Sequence, residues 1–229
     1  MSLPASELLT FEVEPALRVS AIWQAPAKPA ACYVLAHGAG AGMTHPFLSA
    51  IASKLEAQGV ATLRYQFPYM ERRSKRPDPP KLCHSTVRAA VAEASRRVSA
   101  PLFAGGRSFG GRMTSQAQAL EGMPGVRGLV FLGFPLHPAK KPSEERAKHL
   151  FDIQVPMLFL QGTRDELAEM RLLEPLVRRL GEGATLRSFE GADHSFHVPA
   201  RSGKTDAEVL RELAEAIGSW SRSVCTAAS

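Results

Sequence analysis

The chain has 229 residues, of which 45% are apolar and 22% charged, a globular composition that excludes bulk disorder. Its 28 basic residues outnumber 22 acidic ones, a surplus that attracts anions without indicating nucleic acid. The N-terminus has no basic start followed by an apolar run, no stretch is apolar over the roughly 18 residues of a membrane span, and the three cysteines are odd in number. We therefore expect a cytoplasmic protein without a membrane-spanning segment.

The predicted elements alternate between strands and helices. Residues 8–14 and 17–23 are β-prone runs around a turn at Pro15, which predicts an antiparallel pair. Residues 31–38 are apolar almost throughout, which predicts a strand buried on both faces. The pattern continues with helix 46–58, strand 60–65, helix 81–98, strand 101–106, helix 109–121, strand 128–134, strand 155–162, helix 167–180, strand 184–190 and helix 205–220.

This alternation predicts an α/β protein with a mostly parallel central sheet of about eight strands and helices on both faces. We expect one domain over residues 1–221 and a flexible tail over residues 222–229. No connection is long enough to form a large lid. Ligands of such sheets bind beyond the carboxyl ends of the strands, so the residues at those ends are the candidate site.

A glycine-flanked serine follows strand 101–106. The segment GRSFG (106–110) has the pattern Gly-x-Ser-x-Gly and leads into a helix-compatible run. A serine on a sharp strand-to-helix turn needs small residues two positions before and after it, because side chains there crowd its backbone. Ser108 is therefore the candidate nucleophile, and the Phe109 N–H is a candidate oxyanion donor. The alternative is a glycine-rich connection that packs close to a helix.

An acid and a histidine follow two later strands. Asp165 lies in QGTRDE after strand 155–162, and His194 lies in EGADHSFH after strand 184–190. A serine hydroxyl is a weak nucleophile until a base accepts its proton, and the base works best when a buried carboxylate fixes its tautomer. His194 and Asp165 fit these two roles.

Alternatives remain open for both residues. Asp165 could instead cap the following helix, and Asp193 and Glu166 are rival acids. His197 is a rival base, and together with His194 it could form a metal-binding pair. We expect no metal site.

The segment HGAGAG (37–42) follows the first buried strand. A small, flexible loop there brings a backbone N–H against a substrate carbonyl, and the Ala39 N–H is the second candidate oxyanion donor. His37 and Gly38 are candidate substrate contacts. The alternative is a dinucleotide loop with Arg64 facing a 2′-phosphate, but the glycines follow Gly-x-Gly-x-Gly rather than Gly-x-Gly-x-x-Gly.

Basic residues concentrate in loop 65–81, which leaves the carboxyl end of a strand. We interpret Arg72 and Arg73 as candidate contacts to an anionic substrate group, and a merely solvated loop is the alternative. Arg107, next to Ser108, is a further candidate substrate contact. Nucleic-acid binding is not expected because an aromatic stacking platform is missing. Candidate pocket residues are Phe67, Tyr69, Phe134 and Met170.

With loop, serine turn, acid and histidine in that order, the sequence resembles the α/β-hydrolase superfamily over nearly its whole length. Its motifs HGAGAGM, GGRSFGGRM, QGTRDE and GADHSF are similar to those of small hydrolases related to dienelactone hydrolases, and to the hydrolase-like domain of certain chromatin-complex subunits. The resemblance implies the α/β-hydrolase fold and a catalytic triad of Ser108, Asp165 and His194. Dienelactone hydrolases proper carry a cysteine nucleophile, so their particular substrate does not carry over.

These observations predict a serine hydrolase, similar to carboxylesterases and thioesterases, that needs no cofactor. It would cleave an ester-like bond of a small molecule through an acyl-enzyme. The alternative is a non-catalytic hydrolase-like interaction domain whose basic surface binds an acidic partner. The identity of the substrate and the oligomeric state do not follow from the sequence.

Overall fold

A computed structural model describes residues 6–227, in which all eight predicted strands are present. The strands are β1 (Glu7–Glu14), β2 (Leu17–Gln24), β3 (Ala31–Ala36), β4 (Val60–Tyr65), β5 (Leu102–Arg107), β6 (Val126–Leu132), β7 (Met157–Gly162) and β8 (Ala184–Phe189). The helices are α1 (Pro46–Ala57), α2 (Pro68–Glu71), α3 (Pro80–Arg97), α4 (Phe109–Leu120), α5 (Met170–Leu180) and α6 (Asp206–Ala227). Short 3₁₀ segments span Glu145–Asp152, Gly181–Gly183 and Ala200–Ser202.

The strands form one sheet in the order β1-β2-β4-β3-β5-β6-β7-β8. β2 runs antiparallel to both β1 and β4, and every pairing from β4 to β8 is parallel. The predicted antiparallel pair and the mostly parallel sheet are therefore confirmed. After β3 the chain adds β4 on one side and then β5 on the other, so a crevice opens beyond the carboxyl ends of β3 and β5.

Helices cover both faces of the sheet because successive strand residues point to opposite sides. On β3, Val34 packs into the core shared with α3, α4 and α5. Its neighbours Tyr33 and Leu35 pack into the opposite core, shared with α1 and α6. All six residues of β3 are buried, as the unbroken apolar run predicts.

The C-terminal segment differs from the prediction. Residues 222–229 were expected to form a flexible tail, but α6 continues to Ala227. Val224 and Cys225 pack against the core on the α1 and α6 face, so the extra turns bury apolar surface. Residues 228 and 229 lie outside the described residues.

The connections contain short helical turns that the hydrophobic pattern did not indicate. The loop 65–81 begins with α2, and the segment between β6 and β7 contains the 3₁₀ turn Glu145–Asp152. That segment forms no large lid, as expected. Within residues 6–227, no helix combines the length and apolar character needed to cross a membrane.

Candidate active site

The predicted nucleophile sits on a strained turn between β5 and α4. Ser108 has φ 49° and ψ −115°, a backbone conformation that non-glycine residues rarely adopt. Its N–H donates to the Leu132 carbonyl at the end of β6, at 3.1 Å. Hydrogen bonding to the neighbouring strand helps the structure hold this conformation and keeps the serine at the end of the sheet.

The glycines on either side of Ser108 are required by close packing on the end of β3. A Cβ at Gly106 would lie 2.4 Å from the Ala36 carbonyl oxygen, and one at Gly110 would lie 2.6 Å from the His37 carbonyl oxygen. Both distances are far shorter than real Cβ contacts. The turn therefore packs directly against the strand that carries the loop 37–42, which explains the Gly-x-Ser-x-Gly spacing.

The structure brings Ser108, His194 and Asp165 together. His194 Nε2 lies 2.8 Å from Ser108 Oγ, and His194 Nδ1 lies 2.6 Å from Asp165 Oδ2. Because the carboxylate only accepts, Nδ1 carries the proton and Nε2 accepts from the serine hydroxyl. The Asp165 side chain is fully buried, whereas that of His194 is 24% exposed at the cleft.

Asp165 is oriented by three donors. In addition to His194, its Oδ2 accepts from the side-chain amide of Gln161, and its Oδ1 accepts from the Leu167 N–H at 2.8 Å. Gln161 is itself buried, and its Oε1 accepts from the Phe134 N–H at 2.9 Å. The buried carboxylate and the buried amide therefore both have hydrogen-bond partners.

The rival residues have other partners. Asp193 caps its own turn by accepting from the Ser195 and His197 N–H groups, and Glu166 is exposed. His197 is exposed and bonded to Asp206 at 2.8 Å, so it does not join His194. Among residues 6–227, no group of three or more His, Cys, Asp or Glu could hold a metal ion. Asp165 does not cap α5 either, since that helix starts after Glu169.

Three supporting residues were not predicted. Gly133 has φ 72°, a conformation that favours glycine, and it lies against the His194 ring, whose Cε1 would be 3.4 Å from a Cβ there. At Gly162, a Cβ would lie 2.3 Å from the Ala192 carbonyl oxygen, so glycine lets the His194 loop lie against the end of β7. Gln161 had a visible signal, because it is a polar residue in the apolar run of a buried strand.

His37, a candidate substrate contact, does not line the cleft that opens over Ser108. It is fully buried, its Nδ1 donates to the Gly38 carbonyl at 2.7 Å, and its Nε2 accepts from the Phe67 N–H at 3.1 Å. Burial lowers the pKa of His37 to about 4, which keeps the ring neutral, although the bond to Gly38 opposes this effect. His37 therefore joins the loop 37–42 to the segment that follows β4.

The loop 37–42 presents an unused donor next to the cleft. The Gly40 N–H donates to the Tyr69 hydroxyl at 3.2 Å, and the Ala41 N–H donates to the Gly38 carbonyl at 3.2 Å. In the described part of the chain, neither the Ala39 N–H nor the Phe109 N–H at the start of α4 has an acceptor. These are the two donors expected for an oxyanion hole.

A cleft of about 440 Å³ opens over Ser108. It is lined by the loop residues Gly38, Ala39, Gly40 and Ala41 and by His45, Arg107, Ser108, Leu167 and His194. Of the three arginines predicted to contact substrate, Arg107 lines this cleft. Arg72 and Arg73 do not line the cleft; Arg72 pairs with Asp78, and Arg73 is exposed.

The other expected pocket residues lie elsewhere. Phe67, Tyr69 and Phe134 are buried in the core, and Met170 lines a separate cavity of about 450 Å³ beside Asp165. The arginine of the dinucleotide alternative, Arg64, is buried and bonded to Ser49 and Gln24 side chains. It is therefore not placed to bind a phosphate at the loop 37–42.

Residues 29–222 match the protein family described as an alpha/beta hydrolase domain. Among solved structures, dienelactone hydrolase from Anabaena variabilis ATCC 29413 is similar with a TM-score of 0.76 and 19% identity, over 96% of this chain and 97% of that one. A Xanthomonas campestris protein described as an α/β serine hydrolase without a lid gives 0.73 and 20%, over 94% of each chain. The esterase domain of a Rhodothermus marinus protein gives 0.72 and 18%, over 95% of this chain and 98% of that one. At these identities the likeness concerns the fold.

Proposed function

Since the chain belongs to the alpha/beta hydrolase domain family, we propose that it is a serine hydrolase that cleaves a carboxylester or thioester bond of a small molecule. The observation that carries this proposal is the hydrogen-bonded series from Ser108 through His194 to Asp165, at 2.8 and 2.6 Å, beside an open cleft. An esterase domain and a dienelactone hydrolase among the similar structures agree with ester-type chemistry.

The reaction we propose has two halves. His194 Nε2 takes the Ser108 proton while Oγ attacks the carbonyl carbon, and the oxyanion accepts from the Ala39 and Phe109 N–H groups. When the tetrahedral intermediate collapses, the C–O or C–S bond breaks and His194 returns the proton to the leaving alcohol or thiol. Water, deprotonated by the same imidazole, then attacks the acyl-enzyme and releases the carboxylic acid. Asp165 stabilises the imidazolium that forms in each half.

The test is labelling with a fluorophosphonate, together with hydrolysis of 4-nitrophenyl butyrate. We expect the parent to be labelled at Ser108. Ser108→Ala and His194→Ala should lose labelling, and both should lower kcat by about 10⁴-fold or more because the triad acts as a unit.

Ser115→Ala is a matched control. Ser115 lies on α4, the helix that follows Ser108, and its Oγ lies 2.8 Å from His149 Nε2, but it does not line the cleft. This variant should be labelled and active like the parent. A folded parent that is neither labelled nor active would contradict the proposal and favour the alternative of an interaction domain that binds an acidic partner.

A further inference from the structure

Arg107 is a cation inside the cleft, next to the nucleophile in sequence. Its guanidinium lies over the Phe47 ring at 4.9 Å from the ring centroid, and its Nη2 donates to Ser195 Oγ at 3.0 Å. Stacking on one face and a hydrogen bond at one corner fix the plane of the group. Such a fixed guanidinium is preorganised to bind a planar anion.

The charge of Arg107 is not neutralised by an ion pair within residues 6–227. The two carboxylates that act on it most, those of Asp193 and Asp165, are already bonded to backbone N–H groups or to His194. Burial lowers the pKa of Arg107, but a guanidinium stays charged at neutral pH. Among the described residues that line the cleft there is no Asp or Glu, so the one fixed charge in this lining is the Arg107 cation.

Arg107 has further donors that are free to bind a ligand. No described residue accepts from its Nε or Nη1, and neither atom is buried without a partner, so both retain some contact with solvent. His45 also lines the cleft, and its Nδ1 accepts from the Phe47 N–H at 3.2 Å. Its proton is therefore on Nε2, which makes His45 a neutral donor near Arg107.

We propose that Arg107 determines specificity by binding a carboxylate in the acyl or the alcohol part of the substrate. A carboxylate matches the single positive charge, and its two oxygens suit the paired N–H groups of a fixed guanidinium. The inference rests on the proposed function, since it concerns the substrate of the same Ser108 site. It replaces Arg72 and Arg73 of the exposed loop as the residues that select an anionic substrate.

The experiment compares kcat/KM for two pairs of esters. In the first pair the acyl part is charged or neutral, as 4-nitrophenyl hydrogen glutarate and 4-nitrophenyl pentanoate. In the second pair the leaving group is charged or neutral, as the butyrates of 4-hydroxybenzoate and 4-hydroxybenzamide. At an ionic strength of about 0.15 M, long-range steering by surface charges is largely screened.

We expect the parent to prefer the charged ester in at least one pair, and Arg107→Gln to lower that charged-to-neutral ratio by about 10- to 100-fold. Arg107→Lys keeps the charge without the planar fork and should give an intermediate ratio, which keeps the test informative if Arg107→Gln folds poorly. Arg73→Gln removes the same charge from the exposed loop and should leave the ratio at the parent value.

Fluorophosphonate labelling separates a failure of the Arg107 assignment from a failure of the proposed hydrolase function. If the parent is labelled but prefers neither charged ester, or if Arg73→Gln lowers the ratio as much as Arg107→Gln does, the assignment of Arg107 is wrong while the hydrolase stands. If the folded parent is not labelled and hydrolyses none of the four esters, the proposed function itself is wrong.

Discussion

At the scale of single residues, the glycines around Ser108 are required by contacts with backbone atoms that cannot move aside. We predict that Gly106→Ala and Gly110→Ala each destabilise the protein by about 3 kcal/mol or more or prevent folding. The added methyl group would overlap the Ala36 or His37 carbonyl, and Gly106 also has φ 155°. Urea unfolding monitored by circular dichroism measures the effect.

Gly183→Ala is the matched control, because a Cβ there would have no neighbour within 4 Å. Its free energy of unfolding should stay within about 1 kcal/mol of the parent. Stability of Gly106→Ala or Gly110→Ala equal to that of the Gly183 variant would show that the turn does not pack against β3 as described.

Some of these residues could be predicted from the sequence and others could not. The glycines at 106 and 110 are visible because they flank Ser108 in the Gly-x-Ser-x-Gly spacing, although the carbonyls that require them belong to Ala36 and His37, which are distant in sequence. Gly133 and Gly162 also face residues distant in sequence, His194 and Ala192, but no local motif marks them. For His37, the position in the glycine loop is visible in the sequence, but its burial and its bond to Phe67 are not.

At the scale of elements, the end of β7 positions the acid of the triad. We predict that Gln161→Leu lowers kcat by about 10- to 100-fold with little change in KM, because Asp165 loses a hydrogen bond to its carboxylate. Gln161 is hydrogen-bonded to Asp165 and Phe134 and does not line the cleft, so the effect should appear in the chemical step. Steady-state kinetics with 4-nitrophenyl butyrate measures both parameters.

Gln118→Leu separates positioning from loss of stability. Gln118 is likewise a mostly buried glutamine, and its Oε1 accepts from the Met123 N–H at the end of α4. Both variants should be destabilised, but only Gln161→Leu should lose kcat. An equal loss in both variants would mean that Gln161 has no positioning role.

The sequence predicts those strands and helices whose own pattern of apolar residues determines them. All eight strands lie within about two residues of their expected ends, because apolar runs between turn residues specify buried strands. The ends of helices depend on tertiary contacts, as α6 shows by continuing to Ala227 where Val224 and Cys225 reach the core. α2 in the loop 65–81 is too short for a periodic signal.

At the scale of the whole molecule, buried histidines make stability depend on pH. The pKa of His37 is lowered to about 4 by burial, and that of His149 is lowered to about 4 by burial and then by Arg112. In the unfolded chain both rings titrate near 6.5. Between these values the unfolded state binds more protons, so stability is fully present above pH 6.5 and falls as the pH falls towards 4. The pKa of His197 is raised by its bond to Asp206, so this residue affects the pH dependence of stability in the opposite direction.

This balance predicts that His37→Gln flattens the pH dependence of unfolding. Through His37 alone, the free energy of unfolding of the parent should fall by about 2 kcal/mol between pH 7 and pH 4.5. The variant should lack this part of the decrease. His37→Gln will be less stable at pH 7, but the comparison uses only the change with pH in urea unfolding curves. His197→Gln removes a group of opposite sign, so its curve should fall at least as steeply as that of the parent. Parallel curves for the parent and His37→Gln would show that this ring takes up a proton in the folded protein as readily as in the unfolded chain, and would contradict a neutral imidazole joining the loop 37–42 to Phe67 down to pH 4.5.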